Sequence, residues 1–388
     1  MIPRQYRIAP IWMARLAIII CVLIIGNWFV FIPWGLDLIM LVKKDFGYVL
    51  FLLCIGSICS MQLTRKVLIP RLGPRALLPI GTIFFGLAVY LWATATSLAV
   101  FALMALPVGV AFGLINPCAA FLTVQAEQET GKRLLTFHHA CFSIGSLLGV
   151  LIGSLYASTG LNPNYLFFYL MITGMTLGVT FYFISDTSIK KADNIPPEEV
   201  KRAIKLPNGD TLLFGAIAAV SMGTYGIILD WSALWLTRDI GVTLALGGLG
   251  IFAYSGAEIF ARLFGAEIIQ RFGERFIGSS ALIFGCVIMI FATMSKELSF
   301  IIIAFFAFGF SSANFLPLVQ GVAAKRNNDK ASEIVTDIQT ISFIGFLFGP
   351  PIVGLIAEYV SIAACMYVLS IVWIISSLMM RKYFSAAS

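Results

Sequence analysis

The sequence predicts an all-α integral membrane protein, with twelve transmembrane helices arranged as two parallel repeats of six. Three observations carry this. Hydrophobic residues make up 60% of the chain and charged residues 12%, against about 25% charged in soluble domains. The charges come in short bursts, and the apolar runs between them reach the roughly 20 residues that a helix needs to cross a bilayer. Short motifs also recur two hundred positions apart, Arg71-Leu-Gly73-Pro-Arg75 being answered by Arg271-Phe-Gly273-Glu-Arg275.

Taken in order, the first span lies between Arg15 and Asp37 and the second between Asp45 and Arg65. The apolar run of span one continues past Gly26 into Asn27-Trp28-Phe29 with no small-x-small cleavage site, so it reads as a retained helix and not as a signal peptide. Ala76–Ala126 carries no formal charge and is too long for one crossing; it reads as two spans broken near Ala95-Thr96-Ser97. Leu134–Ser185 is likewise two spans, broken at Ser158–Asn164. The long polar segment Asp186–Asp210 follows, in which Pro197 can start a short amphipathic surface helix. Six further spans lie near 211–237, 243–269, 276–294, 298–323, 333–357 and 361–380. The expected domains are an N-terminal bundle over 1–185, a linker over 186–210 and a C-terminal bundle over 211–388.

Lysine and arginine placement gives the orientation. With both termini on one side, Lys43, Lys44, Arg238 and Lys296 fall on the other, and Arg15 and Arg262 fall inside spans; the rest of the 26 lie with the termini. Basic loops stay in the cytoplasm, so both termini are expected there. The net charge of +7 is thus a topology signal, and no soluble domain remains to bind nucleic acid. The seven cysteines all sit in apolar runs without metal-ligand spacing, and read as small buried residues.

Leu134–Ser158 holds the only two histidines, His138 and His139, followed by Gly145, Gly149 and Gly153 at intervals of four. Such a face lets two helix backbones approach closely in lipid. Gly345 and Gly349, with Pro350, Pro351 and Gly354 after them, return the pattern at the same offset, and Pro117 is matched by Pro317. An even number of spans per repeat means that both halves enter from the same side.

Arg71, Gly73 and Arg75, and again Arg271, Gly273 and Arg275, resemble the loop between spans two and three of the major facilitator superfamily and its degenerate copy between spans eight and nine. Pro70 and Gln270 stand where that loop carries an acid. Phe137–Gly149, Tyr225–Leu236, Ala313–Pro317 and Gly345–Gly354 resemble the rhizopine-permease-like (MosC-like) branch of that superfamily, with Tyr225 where an acidic residue is expected. The resemblance implies the major facilitator fold and a substrate site between two halves that rock about it. It also implies that Gly145, Gly149, Gly153, Gly345, Gly349 and Gly354 pack at the seam between those halves.

Several residues can carry chemistry. Asp230-Trp231-Ser232 lies toward the outer end of span seven, and Asn27, Trp28 and Trp34 lie in the outer half of span one. With Tyr225, they read either as an aromatic and acidic vestibule for a solute or as an interfacial tryptophan belt. Glu258 and Arg262 lie one helical turn apart in span eight, where a charge inside the membrane must be paired. They read as a proton-coupling carboxylate with its partner, or as a structural pair. His139 is a candidate proton relay, or a packing residue. Asn116 and Asn314 are repeat-equivalent polar residues that contact ligand or bond between helices.

No Walker loop, nucleophile elbow or metal motif is present. The expectation is a non-enzymatic secondary transporter of the cytoplasmic membrane, without cofactor or metal, monomeric, and moving a small polar or amphipathic organic solute by alternating access with protons. A transporter-like receptor that binds without turnover is the alternative.

Overall fold

The computed structural model describes residues 10–131, 134–184, 209–326 and 331–384. The expected linker helix at Pro197 lies outside them. Among the described residues, twelve helices are long and apolar enough to cross a membrane. They are α1 (Pro10–Leu38), α2 (Lys43–Leu72), α3 (Pro74–Ala93), α4 (Leu98–Thr130), α5 (Leu135–Ala157), α6 (Pro163–Ile184), α7 (Gly209–Arg238), α8 (Leu244–Leu263), α9 (Phe276–Ser295), α10 (Leu298–Arg326), α11 (Ala331–Tyr359) and α12 (Ile362–Met380). Helices are the expected answer to lipid, which offers no partner to a backbone N–H or C=O. The breaks fall where short polar residues compete for the backbone. Ser97 caps α4 by accepting from the Val100 N–H, and Ser361 caps α12 by accepting from the Ala364 N–H.

The chain divides into two compact units. One comprises Met1–Leu41 and Val49–Lys205; the other comprises Val42–Tyr48 and Leu206–Ser388. In the first unit α1 packs on α5, and α3 packs on both α4 and α6; in the second α7 packs on α11, and α9 packs on both α10 and α12. The two units therefore use the same helix pairs, shifted by six. Large apolar side chains such as Tyr169, Phe183, Phe284 and Ile303 stand on the outside, as lipid permits and water does not.

Glycine sets the close contacts. A Cβ on Gly145 would stand 2.7 Å from the Ile19 carbonyl oxygen, and one on Gly149 would stand 2.9 Å from the Gly26 Cα. A Cβ on Gly153 would meet the Asn27 Cα at 3.3 Å. All three let α5 lie against α1. In the second unit a Cβ on Gly345 would meet the Ala219 Cα at 2.9 Å, while Gly349 has nothing nearer than the Gly223 Cα at 3.5 Å. These positions correct the expectation of a seam. Gly145, Gly149 and Gly153 are spent on the α1–α5 pair and Gly345 and Gly349 on the α7–α11 pair, each inside its own bundle. Gly354 differs, lying against Gly47 and the Lys43 carbonyl oxygen, within the second unit. A Cβ on Gly47 would stand 2.8 Å from the Pro350 carbonyl oxygen.

Two further glycines repeat at the same offset. Gly109 closes α4 onto Leu53 and Ser57 of α2, and Gly309 closes α10 onto Tyr254 of α8. Gly73 and Gly273 show the repeat in the backbone itself. Their φ/ψ values are 77°/149° and 80°/154°, and their N–H groups donate to Ile69 O at 2.9 Å and Ile269 O at 2.8 Å. A Cβ has free space at Gly73, so what excludes other residues there is conformation and not crowding.

Gly73→Ala is expected to lower the unfolding midpoint in detergent, by the equivalent of about 1–3 kcal/mol for a strained backbone. Gly345→Ala is expected to cost a similar amount by overpacking α7, whereas Gly349→Ala leaves the midpoint within error. Thermal unfolding of the three purified variants compares them directly.

Candidate functional site

The polar centre of the second unit is built on α8. Glu258 is 2% exposed, and its Oε1 accepts from Arg262 Nη2 at 2.8 Å, one turn along the same helix. The i, i+4 spacing puts both side chains on one face. Tyr254 precedes Glu258 by the same interval and is buried; its hydroxyl lies 3.5 Å from Ser312 Oγ on α10. Tyr225 on α7 supplies a second hydroxyl, which is buried and has no hydrogen-bond partner. Asn314 Nδ2 donates to the Ala261 carbonyl oxygen at 2.9 Å. That bond ties α10 to α8 beside the ion pair.

Local sequence explains why this cluster closes. Gly309 lets α10 approach the Tyr254 backbone, since a Cβ there would stand 2.6 Å from the Tyr254 oxygen. Gly265 leaves the room that the Asn314 amide fills, because its Cβ would stand 2.8 Å from Asn314 Nδ2. Further from the site, Trp373 Nε1 donates to Thr224 Oγ1 at 2.7 Å and fastens α12 to α7. The cluster is chemically a shielded carboxylate and guanidinium beside two phenols, one of them without a partner.

The other expected residues are distributed differently. Trp231 is fully buried, with its ring 5.3 Å from Phe46 and its indole N–H without a partner. Trp28 is 1% exposed and packs on Trp92 at 4.9 Å, with Phe101 and Phe167 around it. Trp28 and Trp231 are thus taken up in buried aromatic contacts and do not stand as an exposed interfacial belt. Asn27 is fully buried too, donating through Nδ2 to Leu23 O at 2.8 Å while its Oδ1 stays without a partner. Trp34 is half-buried, edge-on to Phe31 at 6.3 Å. Asp230 is half-buried, and its carboxylate has no hydrogen bond or ion pair among the described residues. Asn116 is half-buried in α4.

The two histidines meet edge to face, ring centroids 5.7 Å apart, but differ in burial. His138 is buried, with Nδ1 3.4 Å from Thr123 Oγ1. His139 is exposed and lies along Phe142, ring centroids 6.3 Å apart. The structure thus joins Glu258, Arg262, Tyr225 and Asn314, and leaves His139 in the other unit. Tyr254, Ser312 and Gly309 escaped the sequence reading; Tyr254 had a signal, its position one turn before Glu258. A groove of about 540 Å³ is lined by Phe276, Phe284, Phe306 and Phe310, with Ser280 and Ser311 among its walls. No group of three or more His, Cys, Asp or Glu residues suited to a metal ion occurs among the described residues.

Residues 211–387 match the Major Facilitator Superfamily. An uncharacterised MFS-type transporter of Yersinia pestis is 27% identical over 352 residues, covering 90% of this chain and 89% of that protein. Over residues 211–387 the chain is similar to the major facilitator superfamily. Membrane protein MosC of Rhizobium meliloti is 24% identical over 351 residues, 90% of this chain and 84% of its own length. Among solved structures, a D-xylose–proton symporter superposes with a TM-score of 0.70 at 12% identity, over 97% of this chain and 98% of that one. A bacterial homologue of the human lysosomal transporter Spinster gives 0.65 at 12% identity, over 96% and 92%. The major facilitator fold is therefore shared where almost no sequence is. The transporter relatives, in turn, rest on matches along most of the chain.

Arg262→Leu should strip a buried carboxylate of its partner and destabilise the protein by about 3–5 kcal/mol. Adding Glu258→Gln should restore part of that loss. Unfolding midpoints of the single and double variants check the coupling.

Proposed function

We propose that this chain is a secondary active transporter. It moves a small polar or amphipathic organic solute across the cytoplasmic membrane by alternating access, and takes its driving force from protons. One observation supports the coupling above the rest: Glu258 is buried in a membrane-spanning helix and ion-paired to Arg262, with the phenol of Tyr225 left unbonded nearby. Ion pairs in that setting respond sharply to protonation, because a proton on Glu258 removes the negative charge that faces Arg262. Tyr225 and Tyr254 offer hydroxyls beside that pair. Asp230, half-buried without a partner, is the group with which a solute's hydroxyl or amine would bond.

The placement of lysines and arginines supports cytoplasmic termini. The chain needs no cofactor for this role and acts on its solute without chemical change. Pro70 and Gln270, standing where the family loop carries an acid, favour a second reading: a receptor that binds its solute without turnover.

A thermal-shift screen of sugars, inositol derivatives, amino acids and organic acids would supply a ligand, and reconstituted vesicles would then decide. A pH gradient should drive uptake of the hit in the wild type, and Glu258→Gln should abolish that acceleration while retaining binding. Gradient-driven uptake that persists unchanged in Glu258→Gln overturns the coupling role. A stabilising ligand with no flux under any gradient supports the receptor.

A further inference from the structure

Arg15 is the second arginine inside a span, and its setting is the reverse of that of Arg262. Its guanidinium carbon lies 4.8 Å from the Trp12 ring centroid and 4.5 Å from that of Phe137. The guanidinium is thus held between an aromatic of α1 and an aromatic of α5. Its Nε is buried and bonds to nothing. No hydrogen bond or ion pair to its guanidinium occurs among the described residues. The charge of Arg15 reaches His138 and Cys141 on α5; neither is an acid that would neutralise it.

An arginine carries five donors in a planar fork suited to an oxyanion. Cation–π contact offsets part of the cost of holding it near lipid, by roughly 0.5–2 kcal/mol, but leaves all those donors unused. The surroundings of the fork are apolar and open: Trp12 is 53%, Leu16 41% and Phe137 36% exposed. Arg15 stands at the head of the apolar run that ends at Asp37, a place from which a long cationic side chain reaches the headgroup boundary.

We propose that the α1–α5 surface at Arg15 binds an oxyanion, a phosphate or carboxylate, carried on a molecule with an apolar part that lies on Trp12, Leu16 and Phe137. Two sources share this chemistry: the phosphodiester of an anionic phospholipid and a soluble anionic amphiphile. The site is independent of Glu258 and of proton coupling.

Two probes tell the sources apart. Native mass spectrometry would measure retention of phosphatidylglycerol against phosphatidylcholine, whose choline shields the phosphate. Thermal shift in lipid-free detergent would measure binding of n-hexyl phosphate. A lipid site gives roughly tenfold preferential retention of phosphatidylglycerol in the wild type, the scale of one or two charge-assisted hydrogen bonds. That preference should vanish in Arg15→Gln, fall partway in Arg15→Lys and persist in the control Arg381→Gln. A soluble-anion site gives saturable stabilisation by n-hexyl phosphate that Arg15→Gln removes, with no lipid preference. Equal retention of the two lipids together with no shift by n-hexyl phosphate in the wild type overturns the proposal, and that measurement needs no variant to fold. Either signal, if undiminished in a well-folded Arg15→Gln protein, overturns it as well.

Discussion

The closeness of one helix backbone to the next is the constraint on which this structure depends. In lipid, apolar side chains gain nothing by leaving their solvent, so helices associate through van der Waals contact and the few polar bonds between them. Contact of that kind is strongest where no side chain intervenes. Gly149 against Gly26, Gly109 against Leu53 and Ser57, Gly309 against Tyr254 and Gly345 against Ala219 each remove a Cβ at a crossing. The helix pairs α1–α5, α2–α4, α8–α10 and α7–α11 follow from those absences. Where the crossing also brings a polar side chain within reach, as at Asn314 and the Ala261 carbonyl, the same closeness fixes the chemistry.

The two bundles share their packing scheme but differ in what they enclose. The first holds an aromatic core around Trp28 and Trp92, whose indole N–H groups are both without a partner, and a single threonine-bonded histidine, His138. The second holds the Glu258–Arg262 pair with its tyrosines. A repeat that conserves glycines and helix pairings has thus left the interior polar groups free to diverge. This is the division expected when packing geometry and solute chemistry are carried by different positions.

Much of the fold was legible in the sequence because its signals are local. Charge bursts bound the spans, and the expected breaks near Ala95–Ser97 and Ser158–Asn164 are where α3, α4, α5 and α6 begin and end. Partnership is not local. A run such as Gly145-x-x-x-Gly149 shows that a helix will be approached closely, but not by which neighbour, and that is why the seam was expected and an intra-bundle pair is found. Tryptophan near a helix end is similarly ambiguous. Its amphipathic ring suits an interface, yet Trp28 and Trp231 are taken up by Phe101, Phe167 and Phe46 from helices far away in sequence. The Glu258–Arg262 pair was legible because both members lie on one helix. The hydroxyls beside it were not, since Tyr225 and Ser312 arrive from α7 and α10.

The matched turns at Gly73 and Gly273 bear on inheritance as well as on form. Their flanking residues have drifted, Leu72 facing Phe272 and Pro74 facing Glu274 in the alignment of halves, yet the backbone at the glycine has kept one shape. Every other amino acid carries a Cβ, so any missense change at either codon meets the same conformational penalty. A duplicated gene ordinarily frees one copy to vary while the other preserves the role. Here each copy builds a turn that the other cannot replace, so duplication doubled the number of intolerant codons instead of relaxing one of them.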